Sequence, residues 1–180
     1  MERTSRPHLV RLRDATLDDA DRLDAWDMAT QAEGGFNAFG RESSPIDRLK
    51  LAQGPLRNER NGLLIVEALE SGEPIGTVSW HQVSYGPPPE SLAWNCGIEL
   101  VPGARGKGYG SDAQRLLAEY LFANTGVHRV EASTDVENVA EQRSLEKAGF
   151  RREGIARGAQ FRAGAYHDLV TYALVRGDEL

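Results

Sequence analysis

Between residues 97 and 111 the chain reads Gly97-Ile98-Glu99-Leu100-Val101-Pro102-Gly103-Ala104-Arg105-Gly106-Lys107-Gly108-Tyr109-Gly110-Ser111, and no other stretch restricts the fold as much. Upstream, Leu92, Trp94, Cys96, Ile98 and Leu100 alternate with Ala93, Asn95, Gly97 and Glu99. A period of two over that length predicts a strand with one core face. Pro102 then stops ladder pairing at its own nitrogen. Downstream, Ala113, Leu116, Leu117, Tyr120 and Leu121 fall on one side of a helix. A strand must therefore become a helix within a few residues, and glycine at 106, 108 and 110 removes every second Cβ along the way. Backbone N–H groups stripped of side chains can close on a bulky anion, and a helix N-terminus adds unpaired donors and roughly half a positive charge. Arg105 and Lys107 place formal charge beside them. The turn has the makings of a pyrophosphate cradle.

The rest of the chain supplies a frame for that turn. His8 to Arg13 reads as a short strand, and Thr16 with Asp19 as a helix N-terminal box ahead of a stripe of Leu17, Ala20, Leu23, Ala25 and Trp26. Residues 31–44 are loop-like. Ser44-Pro45 reads as an N-cap with Pro in the first turn, opening a second helix through Leu49 and Ala52. Gly62 to Leu69 is a buried strand, Glu70 to Glu73 a hairpin turn, and Pro74 to Trp80 the return strand. Pro87-Pro88-Pro89 is a rigid surface connection. Val127 to Thr134 reads as a strand, Asn138 to Ala148 as a helix stopped by Gly149, the segment from Phe150 as mixed, and Leu169 to Val175 as a last strand buried on both faces. The order is one strand, two helices, three strands, then helix, strand, helix, strand, strand. It predicts a mixed sheet with helices on both faces, α/β in the α+β style, with one parallel crossover unit. No repeat, low-complexity tract or long linker interrupts the 180 residues, a length that suits a single domain over residues 1–180.

Composition removes several function classes. Lys plus Arg number 21 against 27 for Asp plus Glu, a formal net charge of -6. Coating nucleic acid or an anionic membrane needs a basic face, so neither partner is expected, and any polyanion must be gripped locally. The one cysteine, Cys96, excludes an internal disulfide and a Cys-based metal cluster, and no metal is expected. The longest strongly apolar run, Leu63 to Val66, falls far short of the ~20 residues of a membrane span. The first residues, Met1 to Pro7, lack the apolar stretch of a signal peptide. Together these predict a soluble, cytoplasmic protein.

Three phosphate-binding patterns compete for the turn. The nucleotide-hydrolase loop needs Gly, four residues, then Gly-Lys-Ser/Thr. Gly103 stands only three positions before Gly106, and Gly108 follows Lys107, so that pattern fails. The dinucleotide fingerprint, G-x-G-x-x-G with an acid about twenty residues on, is met by Gly106 and Gly108. Ser111 replaces its third glycine and Asp135 closes the next strand. A unit starting at residue 92 leaves no room for the companion half. Arg105-x-x-Gly108-x-Gly110 on a strand-Pro-turn-helix fits best, and it resembles the acetyl-coenzyme A loop of the GNAT superfamily of N-acetyltransferases. Asn138-Val139-Ala140, then Leu145 to Phe150, then Glu153-Gly154 resemble that family's later motif, in which a helix lies beside the pantetheine arm and ends at Gly-Phe. The tail from Phe161 to Asp168 is similar to the RimJ/RimL-like branch. The resemblance runs from Arg11 to about Leu174.

It implies a mixed, mostly antiparallel sheet of six to seven strands flanked by about four helices. It further implies acetyl-CoA as co-substrate and transfer of its acetyl group to a primary amine on a small molecule, an amino acid or a peptide N-terminus. The protein would act as a monomer or homodimer. The backbone of Leu100 and Val101 would bond the pantetheine amides, and the amide near Leu100 would stabilise the oxyanion. The N–H groups of Arg105, Gly106, Lys107, Gly108, Tyr109, Gly110 and Ser111 would hold the pyrophosphate, Asn138 would bond the pantetheine arm, and Arg143 would lie near the coenzyme. Direct attack needs no enzyme nucleophile, in keeping with the lack of a Ser-His or Cys-His signature. It does need a base for the incoming ammonium. Glu99 ranks first for that task, His167 second, and Tyr166 third as an acid or an orienting group. Many relatives carry Tyr four residues before the Gly of Gly-Phe, as the acid for the departing thiolate. This chain has Leu145 there, and Glu141 at the position where RimL-type relatives have a Ser in that role.

Simpler roles stand beside these. Asn138 with Glu141 is also a capping box, Glu99 a solvent-facing strand residue, His167-Asp168 a turn element, Cys96 a small core residue, and Lys107 and Arg143 surface charges. Trp26, Phe36 and Phe39 are either core or the lining of an acceptor pocket made mobile by Gly34-Gly35. Two other functions fit the cradle: a non-catalytic acyl-CoA-sensing module, which Leu145 would permit, and a small dinucleotide-dependent reductase.

Overall fold

A computed structural model describes residues 7–33, 35–39, 46 and 48–178. In chain order the elements are β1 (Val10–Asp14), α1 (Ala20–Glu33), α2 (Arg48–Gln53), β2 (Asn61–Ala68), β3 (Pro74–Ser84), β4 (Leu92–Leu100), α3 (Tyr109–Asn124), β5 (Arg129–Asp135), α4 (Val139–Lys147), β6 (Arg151–Arg162) and β7 (Ala165–Val175). This is the predicted order of strands and helices. The proposed Ser44-Pro45 cap, Gly34 and Met1 to Arg6 lie outside the described residues.

The seven strands form one sheet in the order β1-β2-β3-β4-β5-β7-β6. Every neighbouring pair is antiparallel except β4 and β5, which run parallel. Alternation in β2 explains why both faces carry helices. Leu64 and Val66 point into the main core with Val78, Leu117, Leu121, Val130, Leu145, Tyr172 and Leu174. Ile65 between them points the other way, into a second cluster with Ala15, Ala20, Leu23 and Leu51 from the α1–α2 side. In α3, Ala113, Leu117, Ala118 and Leu121 are fully buried, and each such leucine contributes roughly 1.5–3 kcal/mol of transfer free energy. Among the described residues no helix is long and apolar enough to cross a membrane.

Two strands differ from the sequence expectation. β3 continues four residues past Trp80, because Gln82, Val83 and Ser84 pair with Trp94, Ala93 and Leu92 of β4. β6 is a full twelve-residue strand where the sequence read only a mixed segment. It occupies the sheet edge and pairs only with β7, with register shifts at Arg152/Gly154 and Ala156/Gln160. Most of its residues are exposed, so it carries no hydrophobic period to read.

Candidate functional site

The parallel pairing of β4 with β5 covers only Ala93–Cys96 against Arg129–Ala132. Beyond it β4 stays with β3 through Leu100, while β5 stays with β7 through Asp135. Each strand follows its antiparallel partner, and a wedge opens between them. Val101 N–H donates to the Ile75 carbonyl at 3.0 Å. Antiparallel strands alternate the direction of their backbone groups, so the N–H and C=O of Leu100 and Ile98 face away from β3, into the wedge. Two side chains take up those carbonyls: Arg105 Nε donates to Leu100 O at 2.9 Å and Asn37 Nδ2 to Ile98 O at 3.4 Å. The Leu100 N–H is left facing the opening. Val101, by contrast, is engaged at both ends, since its carbonyl accepts from Ala104 N–H at 2.9 Å.

After the short 3-10 turn Pro102–Ala104 the backbone passes through left-handed conformations at Gly106 (φ 76) and Gly108 (φ 86). Gly108 is the N-cap of α3, and Asp112 N–H is the first to reach a helical acceptor, Gly108 O at 3.2 Å. Among the described residues the N–H groups from Gly106 to Ser111 meet no acceptor. A Cβ on Gly106 would stand in open space, whereas one on Gly110 would approach Ser144 Oγ to 3.1 Å. Gly106 and Gly108 are thus required by backbone conformation, and Gly110 by the close approach of α4.

Wedge and turn join in a cleft of about 750 Å³. Of the residues singled out in the sequence, Glu99, Leu100, Arg105, Gly106, Gly108, Gly110, Ser111, Asn138 and Arg143 line it. Val101 lines a smaller niche on the α1 side with Trp26, Glu33 and Glu99. Lys107 is exposed on the turn, and Tyr109 packs against the main core. Both signs of charge line the cleft, Arg105, Arg143 and Lys147 with Glu33, Glu99 and Glu141, and Arg105 stands 3.9 Å from Glu33 in the α1 niche.

Helix α4 forms one wall. Asn138 caps it by accepting from Glu141 N–H at 3.2 Å, and its amide donates to Thr134 Oγ1 at 3.0 Å. The box is not reciprocal, because Asn138 N–H goes to Asp135 O at 2.9 Å. The Glu141 side chain turns instead toward α3, where Gln114 Nε2 donates to it, while Gln114 Oε1 accepts from Ser144 Oγ at 2.9 Å. Burial pushes the Glu141 carboxyl up to about 7, against the opposing effect of the Gln114 hydrogen bond. Leu145 is buried in the core on the far side of α4. Cys96 also touches the cleft, but burial pushes its thiol up, which keeps it protonated and inert.

His167 lies against Asp135, the last residue of β5. Its Nδ1 is 3.2 Å from Asp135 Oδ2, and its Nε2 faces Arg162 O at 3.2 Å. Asp135 and Arg162 are themselves an ion pair, both buried. The Arg162 guanidinium donates to Gly35 O at 3.3 Å and lies 5.3 Å from the Phe36 ring centre. This cluster therefore ties the loop bearing Phe36 and Asn37, both cleft residues, to the sheet. Tyr166 is exposed at the β6–β7 hairpin, edge-on to Phe161 at 5.2 Å. Phe39 is also exposed, and Trp26 packs on the second cluster.

Sequence reading missed Ser144 and Lys147 as cleft residues, and the buried Gln114 as the partner of Glu141 and Ser144. A signal existed for α4: Ala140, Glu141, Ser144 and Lys147 recur at helical spacing on one face. Arg162 had none, since its partner carbonyl lies 127 residues away.

A family model described as Acetyltransferase (GNAT) domain matches residues 10–151. The chain is 36% identical over 105 residues to the Probable N-acetyltransferase YjcK of Bacillus subtilis (strain 168), a match over 58% of this chain and 56% of that protein. The chain thus spans little more than half the length of that relative. Among solved structures, the ribosomal-protein-S5-alanine acetyltransferase from Vibrio fischeri superposes with a TM-score of 0.76 at 21% identity, over 96% of both chains. The spermidine N-acetyltransferase from Vibrio cholerae, in complex with CoA and spermine, does so with a TM-score of 0.73 at 19% identity, over 94% of this chain and 97% of that one.

Proposed function

The chain belongs to the GNAT acetyltransferase family, and from that premise we propose that it transfers an acetyl group from acetyl-CoA to a primary amine by direct attack in a ternary complex. We read residues 1–180 as one domain for that purpose, of RimJ/RimL-like type, with a small amine, an amino acid or a protein N-terminus as acceptor. The observation that carries the reading is the wedge between β4 and β5 beyond Cys96 and Ala132, which opens onto the unpaired amides of the glycine turn and onto the basic side chains Arg105, Arg143 and Lys147.

Unpaired N–H groups from Gly106 to Ser111, with Arg105, Arg143 and Lys147, would hold the pyrophosphate. Lys107 and Tyr109 would contribute through backbone amides only. Asn138, already bound to Thr134 and the α4 amide, has one amide hydrogen to spare for the pantetheine arm. The co-substrate supplies an activated acyl carbon. Leu100 N–H would donate to the carbonyl oxygen of that acyl group as charge develops there. Glu99, half-buried and shared by the cleft and the α1 niche, would take the proton from the amine. His167, held between Asp135 and Arg162, is better suited to fixing the acceptor loop than to moving a proton. Tyr166 would orient an acceptor from the hairpin.

Acetyl-CoA offered with polyamines, aminoglycosides, amino acids and short peptides should give thiol release and an acetyl mass gain on at least one of them. CoA binding without thiol release above background from any amine would identify a sensor instead. Glu99→Gln should lower turnover mainly near neutral pH, and a wild-type pH-rate profile in that variant would reassign the base.

A further inference from the structure

Glu141 does not fit the structural role its position offers. The third residue of a helix after an Asn cap ordinarily returns its carboxylate to the cap's N–H. Here that N–H is taken by Asp135 O, and the carboxyl accepts from Gln114 of α3 while Glu141 lines the cleft. An ionised carboxylate in the first turn of α4 would be favoured by the helix dipole and would draw in a cation. None is provided. The charged groups on the surrounding elements are Glu33 from α1, Glu99 from β4, Arg105 from the turn, and Arg143 and Lys147 from α4 itself, and none of them is ion-paired with it. From β5 the nearest titratable group is Asp135, which is committed to Arg162 and His167. What faces the carboxyl from α3 is a neutral amide, Gln114, anchored from behind by Ser144. Gln114 is itself buried. Such a fixed, uncharged partner orients one carboxyl oxygen, Oε1, of a residue that lines the cleft.

We propose that Glu141 is a second catalytic residue: as a neutral carboxylic acid on the α4 wall, it donates the proton that the departing thiolate takes up. The inference rests on the acetyl-transfer reading above. The amine nitrogen forms its bond to the acyl carbon, and its surplus proton goes to Glu99. The carbon–sulfur bond then breaks with its electron pair leaving on sulfur, and the sulfur takes the proton from Glu141. Water restores the acid form before the next turnover. The products are the N-acetyl amine and the free thiol, with no oxidant or further reactant required. Burial keeps the acid form populated near neutral pH, since the carboxyl is raised to about 7, close to the working pH at which a general acid is most effective. Gln114 and Ser144 act through Glu141 as positioning residues.

The test compares wild type with Glu141→Gln, which keeps the hydrogen bond to Gln114 but cannot release a proton. Three quantities are measured: CoA affinity by calorimetry, kcat against pH with the most reactive amine of the panel, and the carboxyl titration by carbon-13 NMR of glutamate-labelled protein. CoA affinity should stay within about twofold. Removing a general acid should cost on the order of 100-fold in kcat and remove the fall in rate on the alkaline side. One carboxyl resonance titrating near neutrality should vanish in the variant. Equal turnover in wild type and variant, or a Glu141 carboxyl that titrates in the ordinary glutamate range, overturns the proposal while leaving acetyl transfer intact. A wild-type protein that acetylates no amine overturns the parent reading, and this proposal with it.

Discussion

A Cβ added to Gly110 would stand 3.1 Å from Ser144 Oγ, so this glycine sets how closely the first turn of α3 can approach α4 at the cleft. Ser144 cannot swing aside freely, because its hydroxyl is bound to Gln114. Gly110→Ala should therefore push the helices apart by a few tenths of an ångström and cost about 1–2 kcal/mol by overpacking, partly offset by the better helix propensity of alanine. Ser144→Ala removes the obstructing atom. In that background the same substitution should cost less than half as much, measured as a double-mutant cycle in urea unfolding. Additive costs would mean that the two residues do not meet.

Gly106 has a different reason to be glycine. Its φ of 76 lies in the left-handed region, yet a Cβ there meets nothing. Gly106→Ala should lose about 1–2 kcal/mol from backbone strain alone. Gly106→Asn, a residue that tolerates this conformation, should recover most of that loss in melting temperature. CoA affinity should fall in both variants, because either side chain projects from the turn that is to receive the phosphates. Recovery of stability together with full affinity in the Asn variant would show that the turn needs glycine only for its shape.

These two glycines show what the sequence made legible. The spacing of Arg105, Gly108 and Gly110 is local, and strand alternation on one side and helical periodicity on the other fixed its setting, so the turn was found at its correct place. Element order was legible for the same reason: β4 and α3 each bury one regular face, and β2 is a short run buried on both. The extent of β6 was not, because an edge strand with mostly exposed residues leaves no period. The contacts that define the site's chemistry were hidden by distance along the chain. Gln114 meets Glu141 27 residues on, and Asn37 reaches Ile98 across 61. The capping pattern at Asn138 and Glu141 was half right, since only the tertiary structure decides whether the acid returns to the cap or turns to a neighbouring helix.

Arg162 and Asp135 form a buried ion pair that also holds the loop over the cleft. Arg162→Gln would leave Asp135 as a buried charge held, among the described residues, by His167 and the Glu137 N–H at 2.8 Å, a loss of about 3–5 kcal/mol. It should also speed amide exchange at Gly35–Asn37 relative to the rest of the chain. Adding Asp135→Asn removes the stranded charge and should restore part of the stability without restoring loop protection. Unchanged exchange in that loop for both variants would show that Asn37 on Ile98 holds it unaided.

Glu141 also makes stability depend on pH, with a sign opposite to that of most carboxylates. Its carboxyl is raised from the ordinary 4.5 to about 7 by burial, so between those values the folded chain binds more protons than the unfolded one. Stability is then greatest below about 4.5 for this group, falls as pH rises through the window, and is fully lost above about 7. A displacement of that size corresponds to up to about 3 kcal/mol. Glu141→Gln has no proton to lose. Relative to wild type it should gain progressively from pH 5 to pH 8, reaching several degrees in melting temperature for a chain of this length, with the difference levelling off on either side. Subtracting one protein from the other removes every other titration that the two share. A melting-temperature difference that stays constant across that range would mean that Glu141 ionises in the folded protein as readily as it does in water.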